Sequence, residues 1–325
     1  MNWFRNLTGF EEDDPETVTR LIRCEGTRLF SAANGREFEA GRLRCPSLAE
    51  LRVATGGMQG QLRFSEVVAD ARALHRAPHN AGAVFQVASQ FNLLEMVGPS
   101  VTPEMGIAGY AFDHTQGPAC AMACGAGTIY RNYFVPLAGR AGQSWDRQIN
   151  CLADLGAALG NGAGALWEMQ NGYCLPSRFG LGAVADRLGA AEVEEWDRLR
   201  GLLRVGVQED TEVTDEGAGH FVTQVYCSAM PVAYSGLRAD AWEPLARLVL
   251  EAAYEAVLRV GALRGGPVFL TALGGGAFGN RQEWIADAMV RALEVMAGYD
   301  LEVVLVSYGG RSALAAEVGM RAGVP

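Results

Sequence analysis

The sequence predicts an α/β fold of three layers, with helices on both faces of a mixed central sheet. Two observations support this class. From about residue 220 onward, apolar strand-like runs alternate with amphipathic helical segments in the order β, α, β, α, β, and right-handed crossovers between such strands place helices on the faces of a sheet. The chain of 325 residues is also 49% hydrophobic and 20% charged, which is ample material for a large core.

Residues 1–60 are predicted to form an N-terminal extension. We expect a helix over residues 16–28, behind an acidic run, and then a hairpin whose turn signal is Asn34 followed by Gly35. The segment SLAELRVAT is expected to be a helix with Ser47 as its N-cap and Glu50 completing a capping box. No pattern typical of catalysis occurs in this part of the sequence.

Residues 61–325 are predicted to form a single ligand-binding domain. Its first strands are expected in LRFSEVVAD and AGAVFQVAS, whose apolar content is typical of strands buried in a mixed or parallel sheet. The segment from about 96 to 220 is glycine-rich and weakly periodic, which predicts a long loop-rich insertion. After it, we expect strands in HFVTQVYCSAMPV, PVFLTAL and LEVVLVSYG, and helices over 242–260 and 282–296.

Composition narrows the class of protein. The net charge is −10, so a nucleic-acid partner is not expected. All 27 basic residues are arginine, which we interpret as a bias of genome composition. The N-terminus does not have the order of a signal peptide, and no apolar run approaches the roughly 18 residues of a membrane span. The seven cysteines are scattered and odd in number, which favours reduced thiols in a cytoplasmic protein without a structural metal. We therefore expect no membrane partner and no metal site.

A glycine cluster marks the candidate ligand site. In FLTALGGGAFGN, residues 269–280, a predicted strand runs into glycines directly before a predicted helix, which is where open α/β sheets place their ligands. Glycines there permit positive φ angles and let backbone N–H groups converge on a phosphate. A P-loop is excluded because the chain has no lysine, and a dinucleotide fold because the cluster lies near the C-terminus. A tight turn with no ligand is the alternative.

The sequence resembles the macrodomain family, whose α/β/α fold binds ADP-ribose. The resemblance is carried by VVADARAL, by AVFQVASQFNLLE, and by GGGAFGN followed by VSYGG. It implies that Asp70 contacts the adenine amine and that Gln90 and Asn92 orient the distal ribose. Tyr308, at the end of the last strand, is placed to stack on adenine. The pyrophosphate is expected on the loop of Gly274, Gly275, Gly276, Ala277, Phe278, Gly279 and Asn280.

Two further segments resemble the MavL-like branch of that family, whose members act on ADP-ribosylated ubiquitin. They are GIAGYAFDHTQGPACAMACGAGTIYRNYFVP and VTQVYCSAMPVAY. The resemblance implies a mono-ADP-ribosylhydrolase whose partner is an ADP-ribosylated protein, and it alone implies arginine as the modified residue. The chain departs from the common family pattern in having one asparagine in ASQFN, and it lacks the tandem glutamates of poly(ADP-ribose) glycohydrolases, so cleavage of the polymer is not expected.

Cleavage of a ribose glycosidic bond requires a carboxylate that stabilises positive charge or activates water. Glu95, Glu104 and Asp113 follow Asn92 in the sequence. We predict Asp113 as the first catalytic candidate, because it stands in the polar cluster DHTQGP, and Glu104 as the second. Within that cluster, Thr115 and Gln116 are predicted to position a ribose hydroxyl or a water.

These predictions have alternatives. Asp113 is also a residue type that caps turns, Asp70 and Asn92 are types that cap helices, and Glu104 is a typical solvated loop residue. The protein as a whole is expected to need no cofactor other than its ligand, ADP-ribose. A non-catalytic reader of ADP-ribose, and an interaction scaffold that uses the amphipathic segment EVEEWDRLRGLL, are the other functions consistent with the sequence.

Overall fold

The computed structural model describes residues 2–323. Its strands are β1 (Ile22–Glu25), β2 (Arg28–Ser31), β3 (Glu37–Glu39), β4 (Arg42–Arg44), β5 (Leu62–Val68), β6 (Val84–Ala88), β7 (Pro136–Leu137), β8 (Arg140–Ala141), β9 (Trp167–Gln170), β10 (Tyr173–Pro176), β11 (Gly206–Glu212), β12 (Phe221–Cys227), β13 (Pro267–Leu270) and β14 (Leu301–Ser307). Its α-helices are α1 (Trp3–Thr8), α2 (Pro15–Leu21), α3 (Leu48–Ala54), α4 (Ala71–Arg76), α5 (Gln116–Ala123), α6 (Gly125–Ile129), α7 (Ala153–Leu159), α8 (Arg178–Gly189), α9 (Val193–Gly201), α10 (Ala239–Arg264), α11 (Gln282–Val295) and α12 (Ala313–Ala322).

A seven-stranded mixed sheet in the order β4-β11-β12-β6-β13-β14-β5 forms the central layer. The five strands from β12 to β5 are parallel, whereas β11 runs antiparallel to both of its neighbours. The long helix α10 packs on one face with α3, α8, α9 and α11, and α4, α5 and α6 cover the other. The predicted three-layer class is therefore confirmed. Strands β6, β13 and β14 are mostly apolar and buried because helices cover both faces of the sheet there.

The N-terminal part builds a second, smaller core. Strands β1, β2 and β3 form an antiparallel sheet, and the apolar side chains of this part pack against the chain segment that follows β6. Ser47 and Glu50 form the predicted capping box. However, β4 pairs with β11 and α3 contacts α10, although both elements precede residue 60. The part that packs separately from the main sheet therefore ends before β4.

Two sequence predictions differ from the structure. The helix predicted over 16–28 ends at Leu21, because Ile22 begins β1, which pairs with β2 across a turn at Gly26. The segment 96–220 is not all insertion, since it supplies strand β11 of the central sheet and helices α5 and α6 of one face.

Two features of the described chain concern helix length and the grouping of metal-ligating side chains. Within residues 2–323, no helix combines the length and apolar content that crossing a bilayer requires. The same residues contain no cluster of three or more His, Cys, Asp or Glu side chains arranged to hold a metal ion. The seven cysteines are free thiols.

Candidate functional site

A cleft of about 940 Å³ lies at the carboxyl ends of the parallel strands. Because parallel strands end at the same edge of a sheet, the loops that follow them meet there. The cleft is lined by the loops after β5, β6, β13 and β14 and by the turn that precedes α5. This is the position predicted from the glycine cluster.

The glycine loop after β13 has a conformation that requires glycine at Gly274. Its φ is +74°, and a side chain there would collide with Ala229 and come within 2.7 Å of the Asn280 amide nitrogen. The Asn280 Nδ2 group in turn donates to the carbonyl of Met230 at 2.8 Å and to that of Gly274 at 3.2 Å. Asn280 is 5% exposed, so it supports the loop from behind and does not line the cleft.

The crest of this loop presents unpaired backbone donors. The N–H groups of Gly276, Ala277 and Phe278 have no acceptor among residues 2–323, and all three residues line the cleft. The flanking N–H groups of Gly275 and Gly279 are instead bonded within the loop, at 3.1 and 3.0 Å. Unpaired N–H groups that face a cleft form a site for an anion.

The loop after β14 provides a second set of donors beside the first. The N–H groups of residues 308–311 also have no acceptor in the described chain, whereas the Ser312 N–H is bonded to Glu66 at 2.6 Å. Arg311 lines the cleft and is 87% exposed, with its guanidinium 3.8 Å from Glu66. Arg311 is not among the predicted site residues, although a cation that follows two glycines and precedes a helix start is a signal for an anion site.

Most of the predicted site residues meet in this cleft. Its lining includes Asp70, Gln90, Asp113, Thr115, Gln116, Gly274, Gly276, Ala277, Phe278 and Tyr308. Five predicted residues lie outside the lining, namely Asn92, Glu104, Gly275, Gly279 and Asn280.

Asn92 and Glu104 have positions that oppose their predicted roles. Asn92 is completely buried, and its amide bonds Gln148 at 2.9 Å and the Leu94 N–H at 3.1 Å. Glu104 accepts from the N–H of Trp145 at 2.8 Å, so its carboxylate turns away from the cleft. The predictions that Asn92 contacts a ribose and that Glu104 is catalytic are therefore wrong. Both side chains instead stabilise loops that surround the cleft.

The two glutamines line the cleft, but their amides already have partners. Gln116 Oε1 accepts from the Ala88 N–H at 2.8 Å and its Nε2 donates to the Gln86 carbonyl at 2.8 Å, so this side chain completes the hydrogen bonding of β6. Gln90 Oε1 accepts from the Met96 N–H at 2.7 Å, and its Nε2 lies 3.4 Å from the Tyr173 hydroxyl. Of the two, Gln90 has the weaker hydrogen bond at its Nε2, although it is the more buried side chain.

Asp113 keeps one carboxylate oxygen available. Oδ1 accepts from the Thr115 N–H at 2.9 Å, whereas Oδ2 has no hydrogen-bond partner among the described residues. The side chain is half-buried at the wall of the cleft, and Thr115 beside it is exposed. Capping of the turn and contact with a ligand are thus compatible, because each uses a different oxygen.

Asp70, like Asp113, has one carboxylate oxygen in a hydrogen bond and one without a partner in the described chain. Its Oδ1 accepts from the Ala73 N–H at 3.0 Å as the N-cap of α4, and its Oδ2 has no partner within residues 2–323. Tyr308 follows β14, the strand that pairs with β5, and is 84% exposed. The structure therefore leaves both residues accessible at one end of the cleft.

Glu95 is not among the predicted catalytic residues, but the structure places it in the lining of the cleft. It lines the cleft although it is only 3% exposed, and it pairs with Arg131 at 3.2 Å. Burial raises the pKa of Glu95 to about 7, against the lowering effect of the Arg131 cation. Its apolar sequence context, NLLEM, was a signal of burial.

An aromatic wall borders the glycine loop. The rings of Tyr173, Tyr234 and Phe278 have centroids 5.2 to 5.6 Å apart, and all three residues line the cleft. Tyr173 comes from the β9-β10 hairpin, whose role the sequence did not indicate. Such a wall is a packing surface for the apolar face of a sugar ring or for a flat aromatic group.

Comparisons with known proteins give distant structural similarities. No family model and no curated protein matches the sequence. The poly(ADP-ribose) glycohydrolase of Thermomonospora curvata, bound to the inhibitor ADP-HPD, is 15% identical over 94% of this chain and 95% of that chain, with a TM-score of 0.47. The poly(ADP-ribose) glycohydrolase of Deinococcus radiodurans in complex with ADP-ribose is 14% identical over 86% and 92%, with a TM-score of 0.44. At these levels of similarity, neither structure transfers a function to this chain.

Proposed function

We propose that the protein binds ADP-ribose in the cleft and hydrolyses the glycosidic link between ADP-ribose and a protein side chain. One observation carries the binding part: two adjacent loops line the cleft with residues whose backbone N–H groups have no acceptor in the described chain, at 276–278 and at Tyr308, Gly310 and Arg311. Two neighbouring anion sites suit a diphosphate. A metal is not required for binding, because the N–H groups and Arg311 supply the positive potential.

The ligand's two ends follow from the groups at each end of the cleft. Asp70 and Tyr308 offer an acceptor for an exocyclic amine and a ring for stacking, so we assign the adenine to that end. The distal ribose then lies toward Gln90, Thr115 and Asp113, beside the aromatic wall. This assignment places the scissile bond at the free oxygen of Asp113.

The proposed reaction uses the Asp113 carboxylate as a base for water or as a partner for the oxocarbenium-like charge on the ribose. The products are free ADP-ribose and an unmodified side chain. Arginine as that side chain, and a ubiquitin-like protein as its carrier, are the finer parts of the proposal. Release assays on arginine-linked and glutamate-linked substrates test them directly.

ADP-ribose is expected to raise the melting temperature of the protein more than AMP, NAD or inosine diphosphate ribose does. AMP lacks the second phosphate and the distal ribose, NAD carries nicotinamide on that ribose, and the inosine compound lacks the amine assigned to Asp70. A ligand at about 100 times its Kd stabilises the folded state by about 2.7 kcal/mol. A thermal-shift panel at equal ligand concentrations measures this order.

Two outcomes of the panel would contradict parts of the proposal. Equal stabilisation by AMP and ADP-ribose would remove the distal-ribose assignment, and no shift with any of the four would favour the scaffold function. Binding of ADP-ribose without release from any modified protein would establish a reader instead of a hydrolase.

Phe112 is expected to contact the protein part of the substrate. It is 87% exposed and lies between Ala111 and Asp113, which both line the cleft. An exposed aromatic residue beside a binding site is typical of a protein contact. Phe112→Ser is expected to raise KM for an ADP-ribosylated protein about tenfold, a loss of ~1.4 kcal/mol, while the Kd for free ADP-ribose stays unchanged. Phe179→Ser, also at an exposed phenylalanine but outside the cleft lining, is the control.

A further inference from the structure

A buried ion pair lies beneath the cleft, where the catalytic proposal has not used it. Arg131 is completely buried, and its guanidinium contacts the Glu95 carboxylate at 3.2 Å and stacks 3.7 Å from the centroid of the Tyr226 ring. Its Nε donates to the carbonyl of Leu93 at 2.9 Å, at a residue with a φ of +66°. Arg131 therefore fixes both the backbone and the carboxylate of the loop after β6.

A hydrogen-bond path leads from this pair to Asp113. The Glu95 N–H donates to the Tyr110 hydroxyl at 3.0 Å, so the ring of Tyr110 is anchored at Glu95. The carbonyl of Tyr110 accepts from the Asp113 N–H at 3.2 Å. Tyr110 belongs to the short 3-10 helix Ala108–Phe112, whose C-cap residue is Asp113. The position of the Asp113 backbone is thus connected by two hydrogen bonds to the main chain of Glu95, the residue whose carboxylate is paired with Arg131.

We propose that Glu95, held by Arg131, is a positioning residue that fixes Asp113 for turnover through Tyr110. The inference rests on the proposed function, because it assigns a role within the same site. A buried ion pair adds little net stability over apolar side chains of the same volume. Stability alone therefore does not explain why this pair lies at the cleft. A positioning role supplies that reason, since catalytic groups need fixed geometry.

The charge state of Glu95 adds a pH dependence to this role. The groups that face it are the Arg131 cation, the hydroxyls of Tyr110 and Tyr226, and the thiol of Cys120. The pKa of Glu95 is raised to about 7 by burial. Above that pH the carboxylate is ionised and attracts Arg131, and below it the protonated group loses that attraction. Turnover is therefore expected to fall as the pH drops through about 7.

The test compares Glu95→Gln and Tyr110→Phe with Glu255→Gln. Glu255 is also buried and lies 2.7 to 2.9 Å from three arginines, Arg52, Arg259 and Arg291, but it does not line the cleft. Release of ADP-ribose from a modified protein, the Kd for ADP-ribose and the melting temperature are measured for each variant, below its melting temperature. Both site variants are expected to lose about tenfold or more in kcat with an unchanged Kd, and Glu255→Gln is expected to keep the wild-type kcat.

The pH profile separates positioning from a structural role. In Glu95→Gln, the acidic fall of kcat near pH 7 is expected to disappear, which a general loss of stability would not produce. Unchanged kcat in both site variants, or an acidic limb that persists in Glu95→Gln, would overturn the inference.

If the wild type binds ADP-ribose but releases none, the proposed hydrolysis fails on its own. Amide hydrogen exchange at residues 108–113 then decides the inference: faster exchange in both variants supports it, and unchanged exchange overturns it.

Discussion

Gly274→Ala is expected to weaken ADP-ribose binding strongly and to lower the stability of the protein. The φ of +74° at this position costs an alanine about 1–2 kcal/mol. The added methyl group also collides with Ala229 and approaches the Asn280 amide that holds the loop, and overpacking of this kind costs about 1–3 kcal/mol. The loop must shift to relieve the collision, and the N–H groups of residues 276–278 shift with it.

Titration calorimetry and thermal unfolding measure both effects, and Gly276→Ala is the matched control. We expect a loss of affinity of about 100-fold or more for Gly274→Ala, equivalent to ~2.7 kcal/mol. Gly276 lies two residues on in the same loop, has no positive φ, and has no atom within 4 Å of an added methyl group, so its variant is expected to melt as the wild type does. Wild-type affinity in Gly274→Ala would show that the loop does not hold the diphosphate.

The elements that the sequence predicts best are those whose signals are local. The strands after residue 220 and the helices α10 and α11 follow from uninterrupted apolar runs and helical periodicity. The capping box at Ser47 and Glu50 is a signal contained in four residues. The glycine loop is located correctly because a strand, a glycine cluster and a helix start follow one another within fourteen residues, from Val268 to Arg281.

The errors arise where partners are distant in the sequence. Strand β11 belongs to the central sheet because it pairs with β4 and β12, and neither its composition nor its glycine-rich surroundings indicate those partners. Strand β1 replaces the second half of a predicted helix because it pairs with β2. Pairing energy of this kind overrides local propensity.

The site shows the same limit at the level of single side chains. Glu95 and Glu104 lie nine positions apart in one loop, and only the fold decides which carboxylate faces the cleft. Asn92 and Gln116 are residue types suited to binding a ribose. Their amide oxygens are instead used to accept hydrogen bonds from the backbone N–H groups of Leu94 and Ala88. A buried backbone N–H or carbonyl requires a partner, and the nearest amide side chain supplies it.

Asp113→Asn is expected to reduce the release of ADP-ribose from modified proteins by about 100-fold or more, the range of general acid–base groups. The asparagine Oδ1 still accepts from the Thr115 N–H, which aspartate bonds at 2.9 Å, so the turn keeps its cap and only the charge is removed. The Kd for ADP-ribose is expected to stay within about threefold, because the diphosphate contacts lie on other loops.

Glu104→Gln separates the role of Asp113 from any general effect of charge in this segment. Glu104 also loses one negative charge in that variant, but its carboxylate bonds the Trp145 N–H outside the cleft, so release is expected to continue at the wild-type rate. If release is lost in Glu104→Gln and kept in Asp113→Asn, Glu104 is the catalytic carboxylate, and the role proposed for Asp113 is wrong. Release that is unchanged in both would leave Glu95 as the only described glutamate or aspartate near the distal ribose, since Asp70 lies at the adenine end.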